Sequence, residues 1–195
     1  MTRGPRLLVP TGLLVATLGV STLTVQAVGA IEGTSGRPVT AEGPDAPSWV
    51  TVESAGLDRE PINPEGLTPQ GTIDPAPGDA IWHVGSGRVV PGQVGTAVIA
   101  GHVVYDDEPD VFYDLPEVTE GDIVTVGYGN GETREFVITQ TQQMSKEGLQ
   151  RAPSVWGNQK DVARIALITC DDSLGFRSDG HSRANFVAIA EEHAG

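Results

Sequence analysis

Apolar positions divide the chain into three stretches. Residues 7–31 (LLVPTGLLVATLGVSTLTVQAVGAI) carry no charge at all, and residues 32–47 (EGTSGRPVTAEGPDAP) show no apolar period. From Ser48 onward, short alternating or continuous apolar runs are separated by Gly- and Pro-rich turns. Those runs predict strands at 49–52, 80–84, 96–100, 122–128, 135–141, 162–169 and 185–190. Gly129-Asn130-Gly131 marks a hairpin. Residues 110–118 suit a single helical turn or short helix, with Val111, Phe112 and Leu115 on one side. Residues 56–79 hold five prolines, which predicts irregular structure or very short strands there. Some seven or eight short strands with regular turns indicate a mainly all-β domain, a barrel or a sandwich, with little helix.

The uncharged stretch sets the compartment. As a helix it would be roughly 37 Å long, enough for a hydrocarbon core of roughly 30 Å. Arg3 and Arg6 precede it and the first acid is Glu32, so the N-terminus is expected in the cytoplasm and the body outside. The small residues Ala27-Val28-Gly29-Ala30 also suit a signal-peptide cleavage site, which would release the domain as a secreted protein. The length favours an uncleaved single-pass anchor, and both readings export the domain. The expected organisation is a signal or anchor segment at 1–31, a Pro-rich linker at 32–47 and a folded domain at 48–195.

Charge removes several partners. Twelve Lys and Arg against 26 Asp and Glu give a formal charge of −14 over 195 residues, which argues against nucleic acid and anionic headgroups as electrostatic targets. There is one cysteine, Cys170, so an internal disulfide and a multi-cysteine zinc or iron–sulfur site are excluded. An unpaired thiol in an exported domain is a liability; it is either a small buried apolar side chain or a reactive group.

Cys170 follows the strongest predicted strand and precedes Asp171-Asp172-Ser173-Leu174-Gly175, read as a loop, a favourable place for a reactive group on a rigid scaffold. A thiol that ionises ordinarily near pH 8.5 needs a cationic neighbour, and Asp171 and Asp172 work against ionisation. Activation must therefore come from residues distant in sequence. Of four histidines, His102 matches best, since it lies just past a predicted strand, with Gly101 allowing a turn. His83 lies inside a strand beside Trp82, an ordinary packed position; His181 falls in a Gly- and Ser-rich loop and His193 in the tail. Arg183, at the entry to the last strand, could donate to an oxyanion developing on a carbonyl attacked by sulfur. Taken singly, a strand-end histidine is more often structural than catalytic, and an isolated arginine is more often one half of a surface ion pair.

Together these residues resemble a sortase, the family of exported cysteine transpeptidases of Gram-positive bacteria. Leu167-Ile168-Thr169-Cys170 is similar to its L-x-T-C strand, and Thr96-Ala97-Val98-Ile99-Ala100-Gly101-His102 to its A-V-I-x-G-H segment. Arg183, thirteen residues after the cysteine, matches the family's arginine. The resemblance covers roughly residues 48–192, and the Gly-x-x-Arg-x-Asn ending is most similar to class F sortases of actinobacteria. It implies an eight-stranded β-barrel with one or two short helices, and catalysis without metal or cofactor. It further implies that Cys170 attacks the Thr carbonyl of an LPxTG-like sorting signal, His102 moves protons and Arg183 steadies the oxyanion, with Thr169 positioning the substrate or the arginine. The implied partners are surface proteins bearing that C-terminal signal and an amine of peptidoglycan or another amine nucleophile. The acidic stretch after His102 (Asp106, Asp107, Glu108) departs from the family pattern and touches substrate preference. The competing readings are an exported cysteine peptidase, a peptidoglycan-acting L,D-transpeptidase, whose S-x-G-C pattern the Ile168-Thr169-Cys170 stretch lacks, and a wall-binding β-domain with an inert cysteine.

Overall fold

The strands owe their near-continuous apolar character to burial on both faces. In the computed structural model, which describes residues 40–193 apart from 177 and 179–181, eight of them close into a barrel. In chain order the elements are β1 (Pro47–Val52), β2 (Leu57–Glu65), β3 (Ala80–His83), β4 (Gly95–Ala100), β5 (Val104–Tyr105) and β6 (Glu108–Pro109). Then come β7 (Ile123–Tyr128), β8 (Thr133–Ser145), α1 (Lys146–Gln150), α2 (Pro153–Trp156), β9 (Ala163–Phe176) and β10 (Ser182–Glu192). Around the barrel the order is β1-β2-β3-β4-β9-β10-β8-β7, closed by β7 against β1; β5 and β6 form a small separate hairpin. The predicted all-β barrel is therefore present. The expected membrane segment lies outside the described residues, and among those described no helix is long and apolar enough to cross a membrane.

Side-chain alternation sorts the core into two layers. Val50, Ile62, Trp82, Ile99, Phe136 and Leu167 belong to the barrel interior. The alternate positions Val98, Ala166, Ile168, Val187 and Ile189 face outward, where Met144, Ala152 and Val155 cover them together with Leu149 and Trp156. The segment containing α1 and α2 thus roofs one outer face of the barrel. Ile73 packs on the same outer cluster.

Three expectations change. Residues 57–65 form a full nine-residue strand despite Pro61 and Pro64. The strand divides its partners: Leu57, Glu60 and Pro61 are in register with β1, whereas Ile62 to Glu65 pair in parallel with β3. Each half behaves as an edge on one side, and edges tolerate proline. Second, β9 does not stop at Cys170 but runs on to Phe176, paired with β10. What ends there is the neighbour: β4 pairs with β9 only as far as Ala100↔Ile168, so Cys170 sits where the sheet loses one strand. Third, Gly101 is demanded by close approach rather than by a left-handed backbone. A Cβ there would lie 2.7 Å from Val111 Cγ1 and 3.0 Å from the Phe112 ring, and its φ is not in the left-handed region. The predicted helical turn at 110–118 survives as a 3-10 turn at Leu115–Glu117, with Phe112 and Leu115 wholly buried.

Candidate active site

Register relates the predicted residues to one another. Strands β4 and β9 are parallel with Ala100 opposite Ile168, and His102 and Cys170 each lie two residues beyond that last pair. On the other side of β9, antiparallel β10 sets Asn185 opposite Cys170. Arg183 lies two residues before Asn185 on β10, where the register with β9 shifts between Ser182 and Ala184. Cys170 and Asn185 continue the outward-facing parity of Ile168 and Val187, so the thiol lies on the outer face and not in the barrel interior. It is half-buried.

Each candidate is held by specific bonds. The Thr169 hydroxyl, on the interior face and 3% exposed, donates to the Gly101 carbonyl at 2.9 Å. Gly101 N–H in turn donates to the Ile168 carbonyl at 3.3 Å, so the turn that carries His102 is tied to β9 twice. His102 accepts at its carbonyl from Phe112 N–H at 2.8 Å. Its ring Nε2 lies 2.8 Å from the Pro75 carbonyl, which can only accept, so Nε2 carries a proton. The Asp74 carboxylate is 4.0 Å from the same nitrogen and largely exposed, a pairing that counts for little in water. The Tyr105 ring, paired with Glu108 next to the tip of the β5–β6 hairpin, stands 5.8 Å from the imidazole, centroid to centroid. At the hairpin tip Asp106 and Asp107 both adopt positive φ and are exposed. Arg183 is exposed, and its Nε donates to the Phe176 carbonyl at 2.7 Å, which orients the guanidinium; among the described residues neither Nη group has a hydrogen-bond acceptor.

The family model for a Sortase domain matches residues 50–193, about three quarters of the chain. The chain belongs to the sortase family. Solved structures agree in fold. Sortase A from Listeria monocytogenes is 22% identical, with a TM-score of 0.53, over 76% of this chain and 87% of that one. SrtA sortase from Actinomyces oris is 20% identical, TM-score 0.60, over 83% of this chain and 88% of that one. Sortase A from Corynebacterium diphtheriae is 18% identical, TM-score 0.56, over 83% and 63%. No curated protein matches the chain in sequence. Sortases are cysteine transpeptidases, and that is the activity of this chain.

The remaining histidines take other roles or fall outside view. His83 of this sortase is 1% exposed, as its packed position suggested, with its ring nitrogens 3.3 Å from the Glu65 carbonyl and the Ser86 hydroxyl. Burial pushes its pKa down from the ordinary value, more than the Glu65 contact raises it, and Arg88 adds to the depression. His181 lies outside the described residues, and His193 contributes its backbone N–H to Glu135. Among the described residues, no group of three His, Cys, Asp or Glu is placed to hold a metal ion.

Two residues at the thiol went unread in the sequence: Lys146 as a neighbour of Cys170, and Asn185 beyond its place in the family-like ending. The Lys146 ammonium is 3.4 Å from Cys170 Sγ and 2.7 Å from Asn185 Oδ1. Ser145, an N-cap ahead of a short helix, was the available signal for α1, but nothing in the sequence ties that helix to β9. Nearby acids are occupied: Asp171 accepts from the Gln143 amide at 2.6 Å, and Asp172 accepts from the Ser182 hydroxyl.

Proposed function

We propose that this sortase cleaves an LPxTG-like C-terminal sorting signal between Thr and Gly and transfers the acyl group to an amine of cell-wall peptidoglycan. The Cys170 sulfur attacks the Thr carbonyl, and the Arg183 Nη groups donate to the oxyanion. As the intermediate collapses, the C–N bond breaks and imidazolium His102 gives its proton to the departing Gly amine. The thioester keeps the acyl group activated without ATP. An incoming amine then attacks, His102 takes its proton, the new amide forms and the sulfur leaves as thiolate. Because Nε2 of His102 is engaged by Pro75, Nδ1 is the nitrogen that exchanges the proton.

What supports this assignment is the pairing of β4 with β9 and of β9 with β10, which sets Ala100 opposite Ile168 and Cys170 opposite Asn185, with His102 and Arg183 each two residues away along the chain from those pairs. Thr169 contributes by holding the His102 turn. The R-x-N ending supports a class F type, and the uncharged residues 7–31 support a single-pass anchor with the catalytic domain outside. The exposed acids Asp106, Asp107 and Glu108 on the hairpin beside His102 favour a cationic amine as nucleophile.

The test uses the full-length chain in detergent with fluorogenic LPxTG and LAxTG peptides and a panel of amines. Cleavage between Thr and Gly with an amide product is expected, and Cys170→Ala should abolish both. His102→Ala and Arg183→Ala should each lower kcat by at least about 100-fold with the fold retained. Activity surviving any of these three substitutions removes that residue from the mechanism.

A further inference from the structure

We infer that Lys146, seated by Asn185, is the resident counter-cation of the Cys170 sulfur. The inference rests on Cys170 being the nucleophile and adds a catalytic residue to it. The chain has only two lysines, Lys146 and Lys160. In a protein of net charge −14, an ammonium would ordinarily find a carboxylate, yet among the described residues none lies within salt-bridge distance of Lys146. It reaches instead to the Cys170 sulfur at 3.4 Å and the Asn185 carbonyl oxygen at 2.7 Å.

Asn185 supplies the second, independent observation. It is 4% exposed, and its Nδ2 is buried with no hydrogen-bond partner. An ammonium only donates, so Lys146 obliges the amide to present its oxygen and strands the nitrogen. Leaving such a donor unpaired in the interior costs about 1–3 kcal/mol. A side chain held at that cost beside the nucleophile is consistent with a seat for the cation rather than a packing residue. The position of Lys146 is also built in from the other side: Met144 is buried in the outer cluster, and the Ser145 hydroxyl accepts from Gly148 N–H, which sets the first turn of α1.

The other charged groups around the sulfur are engaged elsewhere. His102 is bonded to Pro75, Arg183 to the Phe176 carbonyl, Asp171 to Gln143 and Ser173, and Asp172 to Ser182; Glu147, next to Lys146 on α1, is exposed. Among these, Lys146 is the group with a hydrogen bond to the thiol. A charge-assisted N–H···S contact gives negative charge on the attacking or departing sulfur a resident partner, so His102 need not be its sole cationic partner.

The experiment is the rate of Cys170 alkylation by iodoacetamide at pH 7, on the full-length chain, with peptide cleavage measured alongside and melting temperatures confirming the fold. Lys146→Met should slow alkylation about tenfold, and kcat should fall by a similar factor while KM changes little. Lys146→Arg should restore most of both rates. Asn185→Ala, which removes the seat but leaves the ammonium, should slow alkylation by less, and it carries the test if Lys146→Met does not fold. Equal alkylation rates for wild type, Lys146→Met and Asn185→Ala would overturn the inference. Alkylation needs no substrate, so a wild-type protein inert toward every sorting peptide would count against the proposed substrate while leaving this readout intact.

Discussion

At the resolution of single side chains, the strand residue before the nucleophile does its work on the opposite face. Thr169 turns its hydroxyl inward, away from the outer face that carries Cys170, and spends it on the Gly101 carbonyl. Thr169→Val keeps the shape and removes that bond, leaving a buried carbonyl short of a donor. We expect a stability loss of about 1–3 kcal/mol and a lower kcat, because the turn bearing His102 loses one of its two ties to β9. Thr169→Ser should restore both. Equal kcat for the valine and serine variants would show that the hydroxyl does not position His102. Cys170, His102 and Arg183 could be picked out in the sequence because each stands in a short local pattern. Lys146 could not, since its partners Cys170 and Asn185 lie 24 and 39 residues away and no local period marks a contact of that kind.

Secondary-structure elements set the geometry through register, and the tightest point in that geometry is the end of β4. Gly101 is packed against Val111 and Phe112, and Phe112 N–H also bonds the His102 carbonyl. Gly101→Ala would force a Cβ to within 2.7 Å of Val111 Cγ1, so either that segment or the His102 turn must shift. Overpacking of this kind typically costs about 1–3 kcal/mol, and here kcat should fall with it. A variant that loses stability but keeps full kcat would place the strain on the Val111–Phe112 side alone. The strands with apolar alternation or continuous apolar runs were legible, although β8, β9 and β10 each extend past the apolar stretch. Their extra length comes from long-range pairing of polar residues, such as Gln142↔Val187 and Asp171↔Ala184, which leaves no hydrophobic signature. The second strand was hidden by Pro61 and Pro64, whose edge-like positions become evident only once β1 and β3 are seen sharing the strand.

Over the whole molecule, the two-layered core separates stability from chemistry: the interior cluster is common to all eight barrel strands, while the Cys170 thiol has the outward parity of Ile168 and Val187. That separation allows a pH dependence of folding distinct from that of catalysis. His83, at the end of β3 and 1% exposed, is the group to follow. Burial holds its folded-state pKa below the value of 6.5 expected in an unfolded chain. As pH falls below about 6.5, the unfolded chain takes up a proton that the folded protein resists. The unfolded state is then favoured, and stability declines until the folded His83 also protonates. Glu60 and Glu192 act in the opposite sense at lower pH. Burial raises both, with Asp79 and Asp110 adding to the rise at Glu60, so the folded state binds those protons first and gains stability as pH falls through their raised values. The histidine window therefore opens first on acidification. Melting temperatures should drop between pH 7 and 5.5 in the wild type and drop less in His83→Gln, whose amide can still bond the Glu65 carbonyl. The difference between the two slopes isolates His83 from every other titrating group. Parallel slopes would mean that its burial is relieved on protonation by local opening around Ser86, without a cost to the barrel.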